Sequence, residues 1–432
     1  MKKVSTAIII LSAAFILRVS YITFVFMHSK YPAMERIYRI LKPGYAKRQY
    51  PFEVAPPEVA PPEVAPPEVA PPDYTKVLHD DEKLYDALAR GIAFEGRFVK
   101  EEARSVGVGP MYPLFLAGIY RICGTNYLAI GILQAIIDTL TCFFVFLIAQ
   151  QVFRKKAISL IATGGAAIYL PFIFYTSMVL TETLFTFLMI AFFFTFLSSI
   201  LHLSLPKSFA SGIILGVACL VRPVPIILPI FLLIFLLIWP LGRSRVRISK
   251  EMGAVIIGMV LAISPWTIRN YIVYGKFIPI STGGASSFLY GTDILTGKFT
   301  EDKEGQTMEY SWNPDLQRAQ YVKGFRNLRQ MKPNILGRNF LRLWFNVGFY
   351  RPPSLYSVVI MILHLLFIGF TICGLLLRRG RWKVYTFPMF LLFFYYTVIN
   401  IVGPAQVRYI IPVIPYLIIL SANGIYSIKE ST

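Results

Sequence analysis

The sequence predicts an all-α fold, a polytopic bundle of transmembrane helices. Three observations lead there. Of 432 residues, 56% are hydrophobic and only 15% charged, and the mean hydropathy is +0.59. Several apolar runs approach or exceed the length that crosses ~30 Å of hydrocarbon. Those runs are continuous, whereas barrel strands would show alternating segments of about ten residues. Only helices and closed barrels satisfy the backbone within lipid.

The apolar runs place about ten spans, roughly at 4–27, 127–150, 157–176, 178–200, 209–221, 224–241, 252–270, 354–377, 384–403 and 408–426. The first begins after Met1-Lys2-Lys3 and resembles a signal peptide. It is long, contains Arg18 and lacks a small-residue cleavage site, so it reads as an uncleaved span. Arg18 has to face the bundle interior or snorkel, because a lipid-facing arginine at mid-depth is costly. Segment 111–123 is apolar but too short to cross comfortably, and reads as an interfacial or re-entrant helix; crossing would make it an eleventh span. The fifth span is short, and Pro223 separates it from the sixth as a tight turn. The chain thus divides into a first span (1–27), a first long loop (28–126), a transmembrane core (127–270), a second long loop (271–353) and C-terminal spans (354–432).

Basic residues of the short loops set the orientation. One side collects Lys2, Lys3, Arg154, Lys155, Lys156, Lys207, Arg243, Arg245, Arg247, Lys250, Arg378, Arg379, Arg381, Lys383 and Lys429. The short loops opposite hold Arg222 and Arg408. Both termini are therefore expected in the cytoplasm and both long loops outside, in a multi-pass protein of the cell (inner) membrane. Lys30, Arg36 and Arg39 lie close to the first span on the outer side and run against the rule there.

A net charge of +20 would suggest nucleic acid in a soluble protein. Here cytoplasmic loops meeting anionic headgroups account for much of it, and no nucleic-acid partner is expected. Both outer loops are basic too, which suits an anionic ligand outside the membrane. The four cysteines (Cys123, Cys142, Cys219, Cys373) fall in apolar segments without CxxC spacing and read as packing residues. Residues 53–72 are four tandem copies of Glu-Val-Ala-Pro-Pro. Such proline density enforces polyproline II, about 60 Å for this segment if straight at ~3.1 Å per residue. It reads as an acidic, solvated spacer, either a tolerated tandem expansion or a docking stalk.

Chemistry-bearing residues gather beyond the spacer. His79-Asp80-Asp81-Glu82-Lys83-Leu84-Tyr85 opens an amphipathic helix in which Leu84, Leu88 and Ile92 recur at helical spacing. Asp80 and Asp81 suit N-capping as well as catalysis. Carboxylates near lipid are usually kept for a task. Glu182, in Leu180-Thr181-Glu182, is a lone acid at the outer end of a span, on the side of Asp81. A cap behind Thr181 is the alternative role. Arg222, Arg269 and Arg408 also end spans on that side. Each alone fits headgroup snorkelling. Together, three arginines and two acids at one face suit a phosphate-bearing lipid, since guanidinium offers a rigid fork of donors.

The chain resembles the family 39 type of membrane glycosyltransferases within the C superfamily, whose relatives include protein O-mannosyltransferases and lipid A aminoarabinose transferases. Asp81-Glu82-x-x-Tyr85 followed by Ala87-Leu88-Ala89 looks like the acidic first-loop motif, and Gly109-Pro110-Met111-Tyr112-Pro113-Leu114 like its continuation. Leu180-Thr181-Glu182 resembles the second acidic motif and Leu220-Val221-Arg222-Pro223 the Arg-Pro turn. Pro265-Trp266-Thr267-Ile268-Arg269-Asn270-Tyr271, with Gly275 and Ile280-Ser281-Thr282-Gly283-Gly284, looks like the start of the second outer loop, and Arg408-Tyr409-Ile410-Ile411-Pro412 like the last-span motif. The spacer and Met111 depart from the pattern, and the chain has the compact form of a bacterial or archaeal enzyme.

The resemblance implies an enzyme moving a sugar from a polyprenyl-phosphate donor to a lipid, glycan or protein acceptor, with inversion. Asp81 would be the base, supported by Glu82 and Glu182; Arg222, Arg269 and Arg408 would bind the donor phosphate. Tyr85, Tyr112 and Tyr409 would line the substrate pocket, though an ordinary interfacial role suits Tyr112 equally. No cofactor or metal site is called for, although a divalent cation on Asp81 and Glu182 fits, since some superfamily relatives use one. The alternative is a transporter or flippase for lipid-linked sugars, which would also need an apolar groove and outer arginines; the chain shows no repeat between its halves, which that class usually carries. P-loop, HExxH and GxSxG motifs are missing from the sequence.

Overall fold

The computed structural model describes residues 2–28, 78, 80–98, 106–239, 244–296, 312–346, 354–377 and 382–431. The Glu-Val-Ala-Pro-Pro spacer, Lys30, Arg36, Arg39, His79 and Tyr310 lie outside them, as does the side chain of Asp80. Among the described residues every regular element is helical. In chain order the α-helices are α1 Lys2–His28, α2 Asp80–Arg90, α3 Met111–Cys123, α4 Tyr127–Phe153, α5 Lys156–Ile168, α6 Leu170–Tyr175, α7 Glu182–His202, α8 Leu205–Val221, α9 Leu228–Ile238, α10 Arg245–Tyr274, α11 Gly283–Thr296, α12 Gln317–Leu328, α13 Pro333–Phe345, α14 Leu355–Leu377, α15 Trp382–Val402 and α16 Ile414–Ser431.

Among the described residues six segments are long and apolar enough to cross a membrane: Thr6–Phe26, Tyr127–Phe153, Glu182–His202, Arg245–Tyr274, Leu355–Leu377 and Val407–Ser431. The other four expected spans appear as shorter apolar helices, and so does α3. The protein is a multi-pass membrane protein. Its centre is α7 and α16, where Phe193 and Tyr416 meet with ring centroids 4.7 Å apart and the Tyr416 hydroxyl donates to the Met189 carbonyl at 3.0 Å. Helices α8 and α10 approach closely at Gly212, Gly216 and Gly258, where an added β-carbon would collide with facing backbone at Val255, Met259 and Phe209.

Proline accompanies three of the four departures from the expected spans. The span expected at 157–176 divides at Tyr169, with Pro171 in the first turn of α6; proline has no N–H to continue the ladder. The span expected from 178 begins only at Glu182, after a turn through 176–181. Pro225 lies in a 3₁₀ turn, Val224–Ile227, before α9, and Pro412 in another, Val407–Val413, before α16. Three of the four interruptions leave a site residue at or beside a helix end: Glu182, Arg222 and Arg408.

Arg18 faces the bundle interior and is fully buried. It forms an ion pair with Asp138 of α4 and donates to the carbonyls of Ala14 at 2.9 Å and Ala167 at 3.0 Å. The Ala167 bond satisfies an acceptor freed where α5 ends. All four cysteines are free, with Cys142 and Cys219 buried.

Candidate active site

The site forms where the two long loops meet one end of the bundle. Helix α2 is pinned there by two buried acids. Asp86 accepts hydrogen bonds from the Tyr120 hydroxyl, the Tyr127 hydroxyl at 3.0 Å and Arg90 Nε at 2.7 Å, which ties α2 to α3 and α4. Glu82, buried at 1% exposure, accepts from the Val179 amide at 2.9 Å, which ties α2 to the turn before α7. With both held, the Asp81 side chain remains 46% exposed at the open side.

Glu182 opens α7 and is fully buried. The helix dipole favours a carboxylate at that end. Thr181 precedes it but makes no side-chain cap bond; its hydroxyl accepts from Arg222 Nε at 2.6 Å. Arg222 also brings Nη2 to 2.7 Å from Glu182 Oε1, and its guanidinium lies 5.6 Å from the Phe185 ring centroid and 5.8 Å from that of Tyr409. Close approach of the first loop frames this turn: a β-carbon on Gly109 would strike the Leu220 carbonyl, and one on Gly107 the Trp312 ring. The second loop joins through Thr282, whose amide donates to the Val106 carbonyl at 2.8 Å and whose hydroxyl donates to the Trp312 carbonyl at 2.6 Å.

Arg408 completes the constellation. Its Nη1 donates to Asp81 Oδ2 at 2.8 Å, its Nε stands 4.0 Å from Glu182 Oε1, and Nη2 donates to the Tyr409 hydroxyl at 3.2 Å. Charges therefore alternate along Asp81, Arg408, Glu182 and Arg222. Four segments far apart in sequence supply them.

Tyr85 lies one helical turn beyond Asp81. Burial, reinforced by Asp81 and Glu182 and partly offset by Arg222 and Arg408, holds its hydroxyl pKa well above the usual tyrosine value, so the hydroxyl stays protonated and able to donate. Tyr112 packs edge-on against Tyr85 at 5.1 Å, and its hydroxyl donates to Gln134 Oε1 at 3.2 Å. Gln134 donates in turn to the carbonyls of Thr176 at 3.1 Å and Met178 at 2.7 Å.

Of the residues singled out from sequence, the structure gathers Asp81, Glu182, Arg222, Arg408, Tyr85 and Tyr409, with Tyr112 behind Tyr85. Glu82 is turned inward to Val179. Arg269 lies in an aromatic cage, 4.8 Å from Trp266, 5.4 Å from Tyr274 and 5.7 Å from Phe98. Sequence reasoning missed Asp86, Thr181 as a ligand of Arg222, and Gln134. Gln134 offered a signal, an amide within an apolar span. Asp86 offered none, since its tyrosine partners belong to other helices.

Asp81 and Glu182, the acids expected to suit a divalent cation, each already face an arginine, and two guanidinium groups beside an exposed carboxylate suit an anion.

The fold is thus a helical bundle bearing alternating acids and arginines at one loop-covered end. Residues 107–268 match the family model described as dolichyl-phosphate-mannose-protein mannosyltransferase; that stretch holds Glu182 and Arg222 and stops short of Asp81 and Arg408. Among solved structures, the oligosaccharyltransferase AglB from Archaeoglobus fulgidus, in complex with an inhibitory peptide and a dolichol-phosphate, matches with a TM-score of 0.51 at 16% identity, over 81% of this chain and 46% of AglB. The chain thus spans about half the length of AglB and shares its fold. ArnT from Cupriavidus metallidurans, bound to undecaprenyl phosphate, matches with a TM-score of 0.40 at 12% identity, over 82% of this chain and 74% of ArnT. A comparison with curated protein sequences gives no match.

Proposed function

We propose that the protein transfers a sugar from a polyprenyl-phosphate donor to a lipid, glycan or protein acceptor at the extracytoplasmic face of the cell membrane. The observation that carries this reading is the ion-pair chain Asp81–Arg408–Glu182–Arg222, which sets two guanidinium groups beside an exposed carboxylate. The family-model match supports the reaction class, and AglB and ArnT were solved with polyprenyl phosphates.

In this reading the donor phosphate meets Arg408 and Arg222. The acceptor hydroxyl or amine attacks the anomeric carbon opposite the phosphate and inverts it. The acceptor–carbon bond forms as the carbon–oxygen bond to phosphate breaks, the electron pair leaves on the phosphate, and the acceptor proton passes to Asp81. The arginines stabilise the charge that grows on the leaving phosphate. Glu182, wholly buried, acts through the arginines it orients. Glu82 fixes α2 in place, Tyr85 and Tyr409 wall the pocket, and Arg269 serves a more peripheral part of the donor.

The test is sugar release from labelled polyprenyl-phosphate sugars in membranes carrying the chain or Asp81→Asn. Consumption by the unaltered chain alone supports the reading and names the donor. Consumption undiminished in Asp81→Asn removes Asp81 as base. Equal passage of intact donor across reconstituted vesicles with either chain, without sugar release, favours a transporter instead.

A further inference from the structure

We propose that α12 is a docking helix for anionic phospholipid, lying along the leaflet at the loop-covered end of the bundle. Its sequence, QRAQYVKGFRNL, holds three cations and no acid, and Arg329 follows directly. The inner face is settled by packing. Gly324 lies against the Phe288 ring, Asn327 donates to Asp293 Oδ1 at 2.7 Å, and Lys323 reaches Asp293 at 3.9 Å.

The far side of the helix is exposed, although Tyr321 and Phe325 also touch the Phe288 ring, with centroids 5.9 and 5.0 Å away. Tyr321, Val322 and Phe325 are 41%, 52% and 62% exposed, and Arg318, Arg326 and Arg329 are exposed as well. At 3.6 residues per turn, Arg318, Val322, Phe325 and Arg329 share one line along the helix. It is an apolar stripe with an arginine at each end, flanked by Tyr321 and Arg326. Three large apolar side chains between arginines suit a leaflet surface, with phosphates on the guanidinium groups and the rings at the acyl boundary.

The neighbours hold α12 beside the end of an apolar helix. Helix α11 rests on the end of α15, where a β-carbon at Gly291 would strike Val402 and Gly403. Four residues beyond α12, α13 begins and descends beside α15, its Asn339 donating to the Ile401 carbonyl at 3.0 Å and its Trp344 to the Thr397 hydroxyl at 3.1 Å. The docking surface goes beyond the proposed transfer reaction and does not depend on it.

The test uses the full chain in nanodiscs, with Cys123→Ser and Cys373→Ser removing accessible thiols and Phe325→Cys carrying an environment-sensitive fluorophore. Discs are phosphatidylcholine alone or an equimolar mixture with phosphatidylglycerol, each with and without lipids spin-labelled near the headgroup. The expected result is blue-shifted emission quenched by the spin label, at least twice as strongly with phosphatidylglycerol. That dependence disappears when Arg318→Glu and Arg329→Glu are added. Water-like emission in both discs overturns the proposal. So does a blue shift without quenching, which would mean that a second copy or an acceptor covers the stripe.

Discussion

Arg408 holds Asp81 at 2.8 Å through one nitrogen while another stands 4.0 Å from Glu182. The exposed acid and the buried acid thus share one guanidinium. In the proposed reaction an arriving phosphate would compete for the same group, which would couple donor binding to release of Asp81.

The coupling makes Asp81 and Arg408 separable. Asp81→Asn is expected to slow transfer by about 10²–10⁴ and to bind donor as tightly as the unaltered chain or tighter, because Arg408 no longer has a carboxylate partner. Arg408→Gln is expected to slow transfer by about 10²–10³ and to weaken donor binding. Equilibrium binding of a labelled polyprenyl phosphate, set beside single-turnover transfer, checks both; weaker binding by Asp81→Asn would contradict the coupling.

Arg222 neutralises a carboxylate that has no access to water. Arg222→Met leaves the buried Glu182 with only the longer contact to Arg408, which costs up to about 3–5 kcal/mol and lowers the melting midpoint in detergent. Adding Glu182→Gln recovers most of that loss and none of the transfer. A double variant no more stable than the single one would show that the pair is not what holds α7 to α8.

Asp86 positions α2 through Tyr120, Tyr127 and Arg90. Asp86→Ala is expected to reduce kcat about tenfold or more, in line with the loss that misplaced catalytic groups bring, with donor KM little changed because the arginines are untouched. Asp86→Asn, whose side-chain oxygen still accepts from a tyrosine, should fall between. Equal effects on kcat and donor KM would argue for general loosening of the site.

Deleting residues 53–72 is expected to leave transfer in membranes unchanged, since a polyproline spacer contributes no core. A several-fold loss of activity on full-length acceptor alone would instead establish the spacer as a docking stalk.

Much of the fold was legible because lipid removes choices. Apolar length and continuous runs located six segments that recur as long apolar helices and four that recur as shorter ones, and the buried fate of Arg18 followed from its cost in hydrocarbon. Helix breaks were harder to read. Tyr169 and Thr181 interrupt apolar runs that hydropathy alone joins, and Pro171 and Pro412 mark their breaks only once the flanking helices are seen, whereas the turn at Pro223 was legible. At the site, residue type at the span ends pointed to Asp81, Glu182, Arg222 and Arg408, because charge is unusual there.

Roles within the site needed contacts. Neighbouring residues Asp81 and Glu82 look equivalent as letters, yet α2 turns one outward to Arg408 and the other inward to the Val179 amide. Arg269 shares the depth of Arg222 in sequence but sits among aromatic rings. By itself the sequence determined the class of fold and the inventory of charges, because burial in lipid is decided by composition and length. Only the tertiary structure decided which acid meets which arginine, because ion pairing depends on distances of a few ångströms between segments up to 327 residues apart.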